Sequence, residues 1–270
     1  MARDTVRVLI AATLGLATAP AWSQAPANAT GAFDQYVTTV EARLAQQHQA
    51  GGLAGEAATP EGRQRLRQGE LVIEELKTPE VPGAMLHDWR GSAFAPGARA
   101  AGFERTLRDF DGYARVFAPE VLQARTLTAN GDHIRGWMRV RQKHVITVVL
   151  DTTYDVRFSR LDAHEAWSTS RSTRIQEIAD PGTSHEHALS PQQEHGFLWR
   201  MNTWWTWQER DGGLYMQVES VSLTRGIPPG LGWIVRPFVE SVPRESLAFT
   251  LKAARSQWAG AGKQGLKGSR

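Results

Sequence analysis

Four of the chain's ten tryptophans lie in one thirteen-residue stretch, residues 197–209, which reads FLWRMNTWWTWQE. Aromatic and β-branched residues in such a run favour a β-strand. The stretch is followed by Asp211-Gly212-Gly213, and a second strand-like segment begins at Leu214. Because aromatic side chains contribute most when they are buried, the segment predicts a hairpin with one face in an apolar interior.

The loop length of this hairpin decides which side chains share a face, since side chains alternate along a strand. A two-residue turn at Asp211-Gly212, or a four-residue loop, pairs Trp207 with Met216 and Trp205 with Val218. A three-residue loop would pair Trp207 with Gln217 and mix apolar with polar side chains. The coherent register places six residues on one face: Trp199, Met201, Trp205, Trp207, Met216 and Val218.

A long helix is predicted to close the chain. Gly226-Ile-Pro-Pro-Gly marks a corner, and the apolar segment 231–242 follows it. Apolar residues then recur at helical spacing, so we expect a helix that ends near Gly260 and is kinked or restarted at its prolines. The side chains expected to face the hairpin are Trp233, Phe238, Leu247, Leu251 and Trp258.

The segments before the hairpin predict short helices followed by an antiparallel meander. Residues 33–48 form an amphipathic pattern, interpreted as a helix packed on the outside of the main domain, and 51–69 is interpreted as a flexible connection. A strand at 71–76 and two short helices in 103–117 precede a run of strands that starts near Val121. The dipeptide Asn130-Gly131 indicates a tight hairpin among them.

The N-terminal residues have the pattern of a secretory signal peptide. Arg3 and Arg7 precede the apolar run 8–17, and small residues offer cleavage after Ala21 or Ala25. A membrane anchor is the alternative, but it needs a longer apolar run, about 18 residues or more. We therefore expect export, most simply to the periplasm. The chain has no cysteine, which excludes thiol chemistry, and its net charge of +3 is too small to indicate nucleic-acid binding.

Several short segments resemble the START-like superfamily, also called the polyketide cyclase or coenzyme-Q-binding-like group. They are Asp88-Trp89-Arg90-Gly91, Ser172-Thr173-Arg174-Ile175, Gly196-Phe197-Leu198-Trp199, the Asp211–Gly213 turn, the strand Glu219–Arg225 and Pro243–Leu247. The resemblance implies an α+β helix-grip fold, in which a curved antiparallel sheet wraps a long C-terminal helix over an apolar cavity. The resemblance covers about residues 70–258. Together with the segments described above, it gives the expected domain organisation: a signal peptide at 1–25, an N-terminal helix and linker at 26–69, the START-like domain at 70–260 and a disordered tail at 261–270.

The function expected from the resemblance and the apolar hairpin is non-catalytic binding of a lipid or another apolar small molecule, with at most transient membrane contact and no cofactor. The alternatives are a helix-grip enzyme of the cyclase or hydrolase kind and a core that is simply filled. The predicted ligand-binding residues are Trp199, Met201, Trp205, Trp207, Met216, Val218, Glu219, Arg225, Trp233, Phe238, Leu247 and Leu251.

Polar candidates for chemistry are few. Glu219 and Arg225 lie six residues apart on one strand, roughly 20 Å if extended; they would either orient a polar ligand head or form structural ion pairs, and we favour the second role. His185, His187 and His195 have spacing that suits a metal, but their segment is polar, so we favour a solvated loop. His144, Tyr154 and Tyr215 are possible acids or bases, and none has a partner at a diagnostic spacing.

Overall fold

One antiparallel sheet dominates the computed structural model, which describes residues 24–143, 147–227 and 232–258, with only the backbone described for 232–240. Its eight main strands are ordered β1-β2-β9-β8-β6-β5-β4-β3, and the short β7 pairs with β6. The strands are β1 (Val72–Leu76), β2 (Ala84–Pro96), β3 (Val121–Asn130), β4 (His133–Lys143), β5 (Thr147–Arg160), β6 (Glu165–Ala179), β7 (His187–Ala188), β8 (Arg200–Arg210) and β9 (Gly213–Arg225).

Helices lie on both sides of this sheet. They are α1 (Ala27–Ala50), α2 (Pro60–Arg67), α3 (Ala100–Arg108), α4 (Tyr113–Val116) and α5 (Gly232–Ser256), with 3-10 turns at Gly55–Ala58 and Phe110–Gly112. The structure therefore confirms the expected α+β architecture, with the short helices, the C-terminal helix and the extra N-terminal helix. No helix among the described residues is long and apolar enough to cross a membrane.

The segment 51–69 is not the unstructured connection that its composition suggested. The Thr59 hydroxyl accepts a hydrogen bond from the Gly62 N–H at 3.0 Å, and Pro60 occupies the first turn, so α2 has an N-cap and a favourable start. Leu66 on this helix is fully buried. These local signals outweighed the Gly- and Gln-rich composition on which the prediction rested.

The hairpin of β8 and β9 has the predicted register. Trp207 pairs with Met216 and Trp205 pairs with Val218. The two turn residues have positive φ angles, 56° at Asp211 and 74° at Gly212, as a two-residue turn matched to the twist of the strands requires.

Helices cover the inner face of the sheet and part of its outer face. The inner face packs against α5 and α3, and its core contains Trp205, Trp207, Met216 and Val218. The outer face packs under α1, where Trp204, Val221 and Leu223 meet the apolar stripe that runs from Phe33 to Leu44. This second core explains the apolar side chains that interrupt the polar face of the hairpin, and it confirms that the N-terminal helix packs outside the sheet.

Helix α5 approaches the sheet most closely at Gly91 of β2. A Cβ atom at this position would lie 2.7 Å from Leu251 Cδ1 and 2.8 Å from Leu247 Cδ2. Beyond this contact, Trp258 lies near Phe103 of α3, with 6.0 Å between ring centroids. The helix is continuous across Pro237 and Pro243, so it does not restart at the prolines.

Candidate functional site

Six of the twelve predicted ligand-binding residues belong to a packed core at the end of the sheet nearest α3, here called the lower end. Trp207, Met216 and Leu251 are fully buried. The ring of Phe103 on α3 meets Trp205 and Trp207 edge-on, with centroids 5.3 Å and 5.5 Å away. Val218 and Leu247 belong to the same core. These side chains are in contact with one another and with the helices, so they form the floor of the space between sheet and α5.

A different part of the inner face is less tightly covered. Two rows of side chains cross the sheet towards its other end, the upper end, where β9 finishes and β2 begins; the strand registers define them. We call these rows the upper inner wall. The row nearer the core contains Val156, Ser170, Thr203, Ser220 and Trp89, and the next contains Tyr154, Ser172, Met201, Ser222 and His87.

The centre of the upper inner wall is only half-buried although it belongs to the middle strands of the sheet. Ser170, Met201, Thr203, Ser220 and Ser222 all have intermediate exposure, whereas the next row towards the lower end, with Trp205 and Val218, is buried. Small hydroxyl side chains occupy four of these five positions. Because protein interiors are otherwise close-packed, half-buried small side chains at internal sheet positions indicate that this part of the inner face is less closely covered than the lower end.

The first half of α5 extends over this wall. Leu247 and Leu251 contact Gly91, and Trp258, after the end of the helix, lies near Phe103 of α3. The helix therefore runs from the upper end to the lower end, and the residues before Leu247 lie towards the upper end. At 1.5 Å per residue, residues 232–246 span about 21 Å. Within them, residues 232–242 are apolar except for Arg236, Glu240 and Ser241. The predicted ligand-binding residues Trp233 and Phe238 belong to this half, and their side chains lie outside the described residues.

Tyr154 is the phenol on the upper inner wall. Its hydroxyl lies 3.7 Å from Met201 Sδ, and burial raises the pKa of Tyr154 to about 12. The side chain therefore stays protonated at any ordinary pH and acts as a hydrogen-bond donor, not as a base. Of the three acid or base candidates in the sequence, Tyr215 lies on the outer face with Phe94, and His144 is outside the described residues.

Trp89 supplies a second donor beside the wall. Its indole Nε1 is buried and has no hydrogen-bond partner among the described residues, while its ring belongs to the inner core. Buried indole N–H groups normally have an acceptor. Trp89 was recognised in the sequence only as part of the resemblance, and the register now places it opposite Ser220.

Three predicted ligand-binding residues are on the wrong side of the sheet for a cavity under α5. Trp199 packs with the outer core; it precedes the first residue of β8, so strand alternation does not extend to it. Arg225 pairs with Ala84 of the outer core. Glu219 is also on the outer face, opposite Arg90. A polar ligand head under α5 would not meet these two charges, which corrects the functional role considered for them.

Glu219 instead belongs to a buried ionic cluster beneath α1. Its carboxylate accepts a hydrogen bond from Arg90 Nε at 2.9 Å and another from Arg43 of α1. Asp88 lies in the same cluster and accepts from the Tyr36 hydroxyl at 2.8 Å. Burial, followed by the charge of Glu219, raises the pKa of Asp88 to about 7. The structural role favoured for Glu219 is what the geometry shows.

The histidine-rich loop shows no metal site within the described part of the chain. His195 Nδ1 lies 2.8 Å from Glu177 Oε2, and the Glu177 carboxylate also accepts from the N–H groups of His195, Gly196 and Phe197. His185 and His187 are exposed. Glu177 therefore anchors the start of the aromatic segment, which is a structural role.

Two open depressions lie at the lower end, outside the predicted cavity. One of about 660 Å³ is bordered by Gly102, Arg105 and Asp109 of the α3 region and by Trp258. The other, about 380 Å³, lies between α3 and the β5–β6 turn, with Glu104, Arg160 and Asp162 on its border. Arginines and carboxylates border both, so neither resembles a pocket for an apolar molecule.

Sequence reasoning missed the hydroxyl side chains of the wall. The signal was present in β6, where Ser168, Ser170 and Ser172 alternate at the positions that face α5. Small polar residues at the interior positions of a sheet otherwise lined by aromatic residues indicate space above them. The aromatic strand drew the prediction instead to the packed floor.

Comparison with known proteins finds similar folds and no similar sequences. No protein-family model and no curated protein matches the chain. Among solved structures, a STAR-related lipid transfer protein from Xanthomonas axonopodis is 19% identical and covers 69% of this chain and 98% of its own, with a TM-score of 0.44. The Zhui aromatase/cyclase from Streptomyces sp. R1128 is 15% identical over 65% and 95%, with a TM-score of 0.44. Human STARD10 is 11% identical over 79% and 84%, with a TM-score of 0.43.

These identities and scores are too low to transfer a ligand or a reaction. The chain's own topology is the firmer observation: short helices follow the second strand, an antiparallel sheet follows them, and the last helix crosses the inner face of that sheet. The chain thus has the α+β helix-grip arrangement expected from the sequence, with an antiparallel sheet and a long C-terminal helix on its inner face.

Proposed function

We propose that the protein binds an apolar small molecule of the lipid class between the upper inner wall and the first half of α5. The observation that carries the proposal is the half-buried row of small side chains, Ser170, Thr203 and Ser220, on central strands that are otherwise tightly packed. Space over an internal sheet face is where a helix-grip protein can enclose a molecule, and the packed lower core closes the bottom of that space.

The polar groups of the wall fit a ligand with one polar end. Trp89 Nε1 is a buried donor without an acceptor among the described residues, and Tyr154 adds a phenol that remains protonated. A carbonyl or carboxyl oxygen would accept from either group, while Met201 and the apolar half of α5 contact the chain of the molecule. A few placed polar groups in an apolar pocket are the usual arrangement for orienting a ligand.

A cavity-filling substitution tests the proposal. Ser170→Phe places a ring in the gap, whereas Ser159→Phe puts the same ring on an exposed position of β5 and serves as the matched control. Each protein is stripped of bound lipid and titrated with a fluorescent fatty acid, and native mass spectrometry counts the bound molecules. We expect one molecule on the unchanged protein and on the control, and at least tenfold weaker binding to Ser170→Phe. Equal binding to all three, with Ser170→Phe folded by circular dichroism, would contradict the proposal.

We further propose that the protein acts after export. The support is the sequence of the first 25 residues, with basic residues, a short apolar run and small residues at the expected cleavage positions. Mass spectrometry of protein taken from a periplasmic extract tests this directly. A mature chain that begins at Trp22 or Pro26 is expected, and a chain that keeps Met1 to Ala21 would contradict it.

A further inference from the structure

The outer face of the sheet carries a group of exposed arginines beyond the area that α1 covers. This face is formed by strands β3, β4, β5 and β6. On it, the register brings Arg125 opposite Trp137, Arg135 opposite Asp155, and Asp155 opposite Arg171. We call the surface made by Arg125, Arg135, Arg139, Arg157, Arg171, Arg174 and Trp137 the basic face.

Two of these arginines are neutralised by neighbouring carboxylates. Arg139 donates to both oxygens of Asp151, at 2.6 Å and 2.9 Å, and also contacts Glu186. Arg171 donates to Glu41 of α1 at 2.5 Å. Arg139 and Arg171 therefore contribute little unpaired charge to the basic face.

The other four arginines have no such partner. Arg125, Arg135, Arg157 and Arg174 are exposed, and none of them lies within ion-pair distance of a carboxylate of the described residues. Asp155, the acid nearest to them in the register, is hydrogen-bonded to His133 Nε2 at 2.5 Å. The six arginines and the four neighbouring carboxylates, Asp151, Glu186, Glu41 and Asp155, leave this surface with a net charge of +2, which is most of the chain's net charge of +3.

An aromatic ring lies at the centre of these charges. Trp137 is half-buried, with the guanidinium of Arg125 4.9 Å from its ring centroid and that of Arg139 at 5.9 Å. On the neighbouring strand Leu127 is 41% exposed. The surface therefore combines unpaired guanidinium groups with a tryptophan and an exposed aliphatic side chain.

We propose that the basic face docks on the surface of an anionic phospholipid bilayer. Basic residues are attracted to the negative surface of such a membrane, and tryptophan has a favourable position at the level of the lipid headgroups. A sheet face is broad enough to lie along a bilayer, and Leu127 and Trp137 would have no apolar environment against a soluble polyanion. The charge and the apolar side chains together favour a bilayer.

Docking would place the strands of the candidate binding site against the membrane. Strands β4, β5 and β6 carry the basic face on their outer side, and β5 and β6 carry Tyr154 and Ser170 of the upper inner wall on their inner side. The inference does not depend on the proposed function, because the charges would attract the bilayer whether or not a ligand is bound.

Vesicle co-sedimentation tests the inference on the mature chain. The vesicles contain either phosphatidylcholine alone or phosphatidylcholine with one third phosphatidylglycerol. The test variant carries Arg125→Gln, Arg135→Gln, Arg157→Gln and Arg174→Gln. The control carries Arg105→Gln, Arg115→Gln, Arg210→Gln and Lys252→Gln, all exposed positions away from the basic face, and it has the same net charge as the test variant.

We expect binding to the anionic vesicles only, and weaker binding as salt is raised. The test variant should lose at least about tenfold in affinity, since each basic residue at an anionic surface contributes about a factor of five, and the control should lose less than about threefold. Equal losses in the two variants would show that net charge alone attracts the protein and would overturn the inference.

A second comparison separates a bilayer from a soluble polyanion. Trp137→Ser should weaken vesicle binding and leave binding to a DNA duplex or to heparin unchanged. Tighter binding to either polyanion than to vesicles at the same salt concentration would also overturn the inference. Ser170→Phe should keep full vesicle binding, so failure of the ligand proposal and failure of this one give different results.

Discussion

Asp88 is a carboxyl group in an environment very different from water. It is almost fully buried under α1, one of its oxygens accepts from Tyr36, and the other has no partner among the described residues. Burial first, and then the nearby charge of Glu219, raise the pKa of Asp88 from 3.8 to about 7. The native protein therefore holds a proton that the unfolded chain has lost.

This proton makes stability depend on pH with a definite sign. Between about pH 4 and pH 7 the native state binds more protons at Asp88 than the unfolded state does, so the contribution of Asp88 to the free energy of unfolding falls as pH rises and levels off above pH 7. Asp88→Asn should remove that contribution. Each pKa unit corresponds to about 1.4 kcal/mol, so the variant should gain up to a few kcal/mol relative to the unchanged protein between pH 4 and pH 8.

The measurement is urea unfolding of the variant and the unchanged protein across this range. Asp34→Asn is the control, since Asp34 is an exposed carboxylate on α1, the helix that covers Asp88. The comparison between proteins is needed because burial lowers the pKa of His48 to about 4, and this adds a slope of the opposite sign between about pH 4 and pH 6.5. A difference between Asp88→Asn and the unchanged protein that stays constant with pH would refute the assignment.

A second prediction at the level of a single residue concerns Trp89 and the ligand. Trp89→Phe keeps an aromatic ring in the inner core but removes the indole N–H, which has no acceptor among the described residues. The polar end of a fatty acid would accept a hydrogen bond from this group, so its affinity should fall by up to about tenfold. The affinity of a hydrocarbon probe of equal length should hardly change. An equal loss for both probes would mean that the ring, and not the N–H, is the contact.

The packing of α5 on the sheet requires glycine at position 91, because a larger residue would clash with the helix. Gly91→Val would bring its Cβ to within 3 Å of Leu247 and Leu251, so these leucine side chains, or the helix that carries them, must shift. Such overpacking costs about 1–3 kcal/mol. Gly31→Ala in α1 is the contrasting change, since a Cβ there meets nothing within 4 Å, and it should stabilise the protein by up to about 1 kcal/mol. Thermal unfolding monitored by circular dichroism measures both, and an unchanged midpoint for Gly91→Val would contradict the close contact.

At the scale of elements, the sequence predicted what local chemistry determines. The turn at Asp211-Gly212 predicted the register of β8 and β9 because a two- or four-residue loop keeps Trp205, Trp207, Met216 and Val218 on the same face, whereas a three-residue loop does not. Local periodicity also indicated α1 and the short helices. The helix over 60–67 was missed because its composition suggested a loop, although the Thr59-Pro60 start was visible.

The parts that could not be predicted depend on contacts between distant segments. The second core under α1 brings Phe33 against Trp204 and Leu223, and the ionic cluster brings Arg43 against Glu219. Neither pairing has a local signal in the sequence. Without them, Glu219 and Arg225 could be interpreted as cavity residues, whereas the sheet register places both on the opposite face.

For the molecule as a whole, the two faces of the sheet have different contents. The outer face holds apolar and ionic contacts with α1 and, beyond that helix, the exposed basic face. The inner face is a packed core at the lower end and a half-buried wall of small side chains at the upper end. The account predicts that ligand, if bound, lies on the inner side and at the upper end, and that the membrane contacts the outer side.

Photoaffinity labelling locates the ligand most directly. The protein is incubated with a fatty acid that carries a diazirine in its chain, irradiated and digested, and mass spectrometry identifies the labelled residues. The account predicts labels on Met201, Thr203 and neighbouring inner positions of β6 and β9, with labelling suppressed in Ser170→Phe and unchanged in Ser159→Phe. Labels confined to the depression between α3 and Trp258, or to the outer face, would contradict it.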